Sequence, residues 1–314
     1  METLAISNLI EPYQLRCCLV HQRGELIYQY EHANEAVRQL MPINSCTKSI
    51  LSSLICIAMD RALLPQSDTL IATFFPELKK DSDLRKQSIT LQHLLTLSAG
   101  FRWDEFGGLN SFPKMTRSVN WVNYVLKQPM SDAPGAKMVY NSGVSQLLAA
   151  VLAQAIDVPI AAFAETNLFG PLAIEHYNWK SDPQGLHTGG YGLQLCANDM
   201  LKFGLLYLHK GFWNNQQLIT KGMTELSTQP FIAVTEPERG CYGWHWWVDS
   251  VPVPSKGNDA ALAELHYYYA RGYGGQFIII VPALETVVVL TRDQRKKGPS
   301  PMELFRQHIA PMLA

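Results

Sequence analysis

The sequence predicts an α+β fold of the α/β-sandwich type: one antiparallel sheet built from both termini, flanked by helices, with a mostly helical lobe inserted. Three observations predict it. Strand-like runs rich in β-branched and aromatic residues stand at the two ends of the chain. Helical periodicity dominates between them, over residues 67–235. The helix that follows the first strands is too apolar for a surface element. A single domain over 1–314 is expected, its sheet lobe formed by about 1–66 and 236–314 and its helical lobe by about 67–235.

Residues 15–21 and 25–30 read as strands around Gln22-Arg23-Gly24, a hairpin signal. Residues 47–63 read as a long buried helix. Helical spacing then recurs at 91–97, 119–126, 143–155, 160–168 and 198–209. The period becomes strand-like at 242–248, 266–269, 276–281 and 286–291, with Gly and Pro between the runs. A final helix is expected over roughly 301–312. The cleft between the two lobes is the default place for a ligand.

Composition narrows the function. Lys plus Arg number 26 and Asp plus Glu 27, for a net charge of −1. That balance argues against a nucleic-acid or polybasic membrane partner. Apolar residues make up 47% and charged ones 17%, enough to bury a substantial core. Uninterrupted apolar runs such as 277–281 and 287–290 fall far short of the roughly 18 residues that cross a bilayer. Residues 1–13 carry acids and no Lys or Arg, unlike a secretion signal. Six cysteines without C-x-x-C spacing read as small buried residues, so a reduced, cytoplasmic protein is expected.

Phosphate-cradling loops, H-E-x-x-H and G-x-S-x-G are absent, and no two of the nine histidines lie three or four apart. No metal or cofactor is expected. One motif survives, S-x-x-K, at Ser45-Cys46-Thr47-Lys48 and at Ser111-Phe112-Pro113-Lys114. Only the first opens an apolar helix, which sets an amine one turn from a hydroxyl at the positive end of the helix dipole. Ser111 reads as a loop residue. Two readings of Ser45 stay open on this segment alone: a nucleophile with Lys48 as its base, or an N-cap with Lys48 a solvated first-turn cation. Tyr140-Asn141-Ser142-Gly143 precedes the apolar helix at 143–155, and could supply a phenol to the site or simply pack and cap. Ala270-Arg271-Gly272-Tyr273-Gly274-Gly275-Gln276 lies between two strand-like runs. Its glycines serve either a substrate lying along the strand or a plain hairpin turn.

These three segments in this order resemble the serine β-lactamase and penicillin-recognising superfamily, specifically its class C-like esterase and amide-hydrolase branch. The likeness covers nearly the whole chain, through residues 20–30, 45–59, 90–105, 134–147, 168–174, 192–204 and 272–290. It implies a β-lactamase/transpeptidase-like fold and a catalytic domain of that kind. It also implies that Ser45 is the acylated nucleophile, Lys48 its proton partner and Tyr140 the general base, with Ser142 in the third place of the Y-x-N segment. The backbone N–H groups of Ser45 and Tyr273 would form the oxyanion hole.

Where antibiotic-degrading members carry K-T-G, this chain has Ala270-Arg271-Gly272, which lacks the cation that holds a β-lactam carboxylate. Strand alternation sets Arg271 opposite Ala270 and argues against its substituting. His187-Thr188-Gly189 matches an H-T-G variant but precedes a helix, so Ala270–Gly272 is preferred and His187 reads as a surface residue. Trp103, Asp104 and Glu105 are expected to wall the pocket, which would suit a basic or amphiphilic acyl group. Trp246 and Trp247 are expected in the core and on the sheet face. The resemblance thus implies a metal-free, cofactor-free serine hydrolase of a small ester, amide or peptide-like substrate. The rivals are a β-lactamase or D,D-peptidase and a non-catalytic ligand-binding member of the fold. The acyl-enzyme mechanism requires a hydroxyl, an amine and a phenol to converge within hydrogen-bonding reach where the lobes meet.

Overall fold

In the computed structural model the two ends of the chain meet in one eight-stranded antiparallel sheet. The structure describes residues 6, 9–255, 258–293 and 296–314, with the backbone alone at 255 and 258–261. In chain order, β1 (Leu15–Gln22), β2 (Glu25–Glu31) and β3 (Met41–Pro42) lead into α1 (Thr47–Asp60). The helical part holds α2 (Leu91–Leu95), α3 (Phe112–Met115), α4 (Trp121–Leu126), α5 (Ser142–Ala155) and α6 (Ile160–Ala164). After β4 (Asn178–Trp179) and β5 (Leu193–Leu195) come α7 (Ala197–Leu208), the β6 (Phe212–Trp213) and β7 (Gln216–Gln217) ribbon, and α8 (Lys221–Ser227). The chain then re-enters the sheet through β8 (Ile232–Ala233), β9 (Cys241–Tyr242), β10 (Trp247–Ser255), β11 (Asn258–Gly272), β12 (Gln276–Val281) and β13 (Thr286–Arg292). It closes with α9 (Pro301–Leu304), a π-helical turn (Phe305–Ile309) and α10 (Ala310–Leu313).

The sheet order is β2-β1-β13-β12-β11-β10-β9-β8, so the N-terminal hairpin zips onto the last strand, as expected. Arg23 and Gly24 turn that hairpin with φ of 49° and 87°, the left-handed pair that a two-residue loop needs to match strand twist. β12 and β13 form the middle of the sheet and are buried along nearly their whole length. Alternation aims neighbours at opposite layers: Tyr267 meets Phe305 of the C-terminal helix, whereas Tyr268 meets Tyr207 of α7. α7 lies close on the sheet at Gly204, where a Cβ would sit 2.5 Å from Val287 Cγ1.

Several boundaries differ from expectation. β11 runs 15 residues rather than the four at 266–269, because the whole of β10 pairs with it. The single strand expected at 242–248 is broken, since His245 adopts φ 59° and ends β9 before β10 begins. β8 already belongs to the sheet, inside the span read as helical. Residues 160–168 divide into α6 and a π-helical turn, Glu165–Phe169. Ser111 is not in a loop but directly precedes the short α3; it is buried, and its hydroxyl donates to Gly108 O at 3.0 Å. All six cysteines are free, five of them buried. Among the described residues no single helix is long and apolar enough to cross a membrane; α5 together with residues 160–169 passes only as a pair bent by 77°.

Candidate active site

Ser45 lies in a 3-10 turn, Asn44–Cys46, that runs straight into α1. Both sheets hold this turn. From the small sheet of β3, β5 and β4, Leu193 O accepts from Ile43 N at 3.1 Å and Leu193 N donates to Thr47 Oγ1 at 3.3 Å. From the large sheet, Asn44 Nδ2 donates to Tyr273 O at 2.7 Å. Gly272 closes the contact: a Cβ there would fall 2.1 Å from Ile43 O, so only glycine lets the strand end approach the turn. The Ser45 hydroxyl makes no capping bond, which removes the N-cap reading. The backbone N–H groups of Ser45 and Tyr273 donate to no protein group among the described residues. They are available to an oxyanion.

Lys48 is 1% exposed, although it stands one turn inside a helix end. Its Nζ donates to Ser142 Oγ at 2.8 Å, to Gly190 O at 2.9 Å and to Ser45 Oγ at 3.4 Å. It is a buried amine, not the solvated cation of the alternative reading. The capping of α5 falls to Asn141, whose side chain accepts from Val144 N at 3.1 Å, and this releases Ser142 to face Lys48. Ser142 in turn donates its N–H at 2.9 Å to Glu105 Oε2 and its hydroxyl to Glu105 Oε1. Trp103 Nε1 donates to Glu105 Oε2 at 2.8 Å.

Tyr140 joins by its ring rather than its hydroxyl. The ring stacks on Trp247, with centroids 6.0 Å apart and planes at 20°, and Lys48 Nζ lies 4.7 Å from its centroid. Among the described residues the phenol makes no hydrogen bond to Ser45 or Lys48, because the ring is held between an indole and an ammonium face. Hydroxyl and amine therefore converge as expected, while the phenol converges without hydrogen-bonding them. Beside this cluster, Tyr242 is held well above the usual phenol range by burial and then by Tyr140, Tyr269 and Glu105, so it stays neutral.

These groups open on a cavity of about 460 Å³ lined by Ser45, Glu105, Tyr140, Trp247, Arg271 and Tyr273, among others. Ala270 is buried and Gly272 packs on the turn, so neither lines it. Alternation does turn Arg271 away from Ala270, and that side is the cavity side, so Arg271 lines the cavity. Its guanidinium lies 5.5 Å from the Trp247 ring and pairs with Glu238 at 2.6 Å. Trp103 is corrected from a wall to the brace behind Glu105. Trp247 is both core and wall. His187 is half-buried, edge-on to Trp179, with burial lowering its pKa. Sequence reasoning missed Glu238, Phe106 and the Gly190 carbonyl. Only the last carried a signal, the glycine run at 189–192.

The comparisons with known proteins bear on the family and the fold. The Beta-lactamase family model matches residues 19–308. No curated protein matches the chain. Among solved structures, EstCE1, a hydrolase with promiscuous acyltransferase activity, superposes with a TM-score of 0.76 at 14% identity, over 98% of this chain and 96% of its own. A β-lactamase/D-alanine carboxypeptidase from Yersinia pestis does so at 0.70 and 18%, over 98% and 95%. A class C β-lactamase from Rhodobacter sphaeroides gives 0.68 and 17%, over 99% and 98%. Identities this low speak for the β-lactamase/transpeptidase-like fold alone. The family match runs from β1 to the C-terminal helix and contains every residue of the site just described: the chain belongs to the Beta-lactamase family.

Proposed function

We propose that this protein is a serine hydrolase that cleaves an ester or amide bond of a small molecule through an acyl-enzyme on Ser45. The observation that carries the reading is the buried Lys48 amine, hydrogen-bonded at once to the hydroxyls of Ser45 and Ser142. As a free amine, Lys48 takes the Ser45 proton while the hydroxyl oxygen attacks the substrate carbonyl. The tetrahedral oxyanion forms against the N–H groups of Ser45 and Tyr273, an arrangement worth about 3–4 kcal/mol per donor. Collapse expels the alcohol or amine, which takes up the proton, and water then repeats the sequence to release the acid.

Tyr140 lines the same cavity, and its phenol is assigned to proton transfer with the leaving group. Tyr140→Phe keeps the ring stacked and is expected to lower kcat roughly 10²-fold, a proton-transfer share, with KM little changed. Loss confined to KM would make Tyr140 a binding wall instead. A β-lactamase or D,D-peptidase activity is less well supported, because Ala270 offers no cation and Arg271 is engaged by Glu238.

The test is a panel of short esters, D-amino amides and a chromogenic cephalosporin, run on wild type and Ser45→Ala. Expected is ester or amide turnover that Ser45→Ala loses, with an active-site phosphonate attached to Ser45 in the wild type. An unlabelled Ser45 overturns the hydrolase reading and leaves a ligand-binding cleft. Cephalosporin turnover matching that of the ester overturns the preference against β-lactams.

A further inference from the structure

Resting on that reading, we propose that Glu105 is a positioning residue that receives the Lys48 proton through Ser142, so that a Lys48–Ser142–Glu105 chain readies Ser45. The juxtaposition is direct. Lys48 Nζ donates to Ser142 Oγ at 2.8 Å, and the same hydroxyl donates onward to Glu105 Oε1. Glu105 is fixed from two further sides, by Ser142 N at 2.9 Å and by Trp103 Nε1 at 2.8 Å.

Electrostatics gives the chain its purpose. A protonated Lys48 cannot accept the Ser45 proton; its three hydrogen-bond partners are two hydroxyls and one carbonyl, the Tyr140 ring lies beside them, and among the described residues no anion is in contact. A buried ammonium so held is costly unless a counter-charge is near, and the nearest carboxylate stands one hydroxyl away. Passing the proton along the chain leaves a neutral amine and a neutral acid. The balance is complete: a Lys48 N–H bond breaks as a Ser142 O–H bond forms, and the former Ser142 proton moves to Glu105. Ser45 then gives its proton to the Lys48 lone pair as its oxygen bonds to the acyl carbon. The reverse transfers return a proton to the expelled alkoxide or amide nitrogen.

Other groups face this pair from every side. Lys48 meets it from α1, and Tyr140 and Lys137 flank it on the segment before α5. Tyr242 approaches from β9, His245 from the break between β9 and β10, and Asp104 lies on the same loop. Glu236, Glu238 and Arg271 stand across the cavity. Lys137 pairs with Asp132 at 3.7 Å and Arg271 with Glu238, so neither supplies a strong counter-charge to Glu105.

The experiment is the pH profile of kcat/KM for wild type and Glu105→Gln on the best ester of the panel. With the carboxylate present, one proton shared by the pair suffices for activity. Without it, Lys48 must lose its proton to water. Glu105→Gln is therefore expected to lower kcat 10- to 100-fold near neutrality and move the acid limb upward by at least one pH unit, activity recovering at high pH. An unmoved limb with an intact melting temperature overturns the proposal and leaves Glu105 a brace. Should the variant fail to fold, Ser142→Ala decides, because it breaks the chain while keeping the carboxylate: the same upward move of the acid limb is expected, and an unmoved limb overturns the chain. Phosphonate labelling of Ser45 in the same wild-type sample keeps failure of this proposal distinct from failure of the hydrolase reading.

Discussion

Turnover of a short ester is expected to fall roughly 10⁴-fold in Ser45→Ala, in Lys48→Met and in the double variant alike. Serine and lysine lie one turn apart on a single rigid helix start, with their reactive atoms 3.4 Å apart. Groups that act as one unit lose the whole route when either is removed, so their effects do not multiply. Methionine matches the length of the lysine stem and fills its buried slot, which isolates the loss of the amine from a cavity effect. It also strands Gly190 O without its donor, at about 1–3 kcal/mol, and removes one of the two partners of Ser142 Oγ. A lower melting temperature in Lys48→Met is thus part of the expectation, and rates are compared well below it. Phosphonate labelling of Ser45 is expected to slow in parallel. If Lys48→Met keeps the wild-type rate, the amine is no base. If the double variant is slower than both singles by the product of their losses, the two residues act separately.

How much of this was legible depends on how far apart the partners lie in the chain. The hairpin at Arg23-Gly24, the apolar α1 with Ser45 and Lys48 at its start, and the return of the C-terminal strands are local patterns, and all were read. β11 was not read to its full length. Its stretch Ala261-Leu262-Ala263-Glu264-Leu265 has no strand composition, and pairing along β10 overrides that local preference. The Glu105–Ser142 contact spans 37 residues, from a loop with no period to a helix start, so nothing local announces it. The same holds for Glu238 beside Arg271, 33 residues away. Trp247 read as core and is core, yet its edge lines the cavity. Serines 49, 52 and 53 show how an apolar helix hides its polar seam. Ser49 and Ser52 donate at 2.7 Å to the carbonyls of His245 and Trp244, and Ser53 meets Tyr207 at 2.9 Å. This seam holds α1, and with it Ser45 and Lys48, to the break between β9 and β10.

At that break the protein is expected to carry an acid sensitivity set by one side chain, His245. Its Nδ1 faces Leu95 O at 2.9 Å, and because a carbonyl only accepts, Nδ1 carries the proton. Nε2 is left to accept from Ser145 Oγ at 3.0 Å. The ring is fully buried, and burial first, then the charge of Lys48, drives its pKa down to about 3 against the pull of the Leu95 carbonyl. The unfolded chain binds a proton at about pH 6.5 where the native state refuses it, so native stability falls as pH drops from about 6.5 toward 3. The slope is about 1.4 kcal/mol per pH unit, or roughly 2–3 kcal/mol lost between pH 7 and 4.5, a window in which most carboxylates stay ionised. Urea unfolding at those two pH values measures it. His245→Asn retains a side chain at home at φ 59° and an amide N–H in place of Nδ1–H, without a titrating ring. That variant is expected to be less stable at pH 7 yet to lose about 2 kcal/mol less than wild type on acidification. Equal losses in both proteins, or a histidine ring at this position that titrates near pH 6 by NMR, would show that the site is open to water. The anchoring of α1 through Ser49, and of α5 through Ser145, would then be far weaker than these contacts imply.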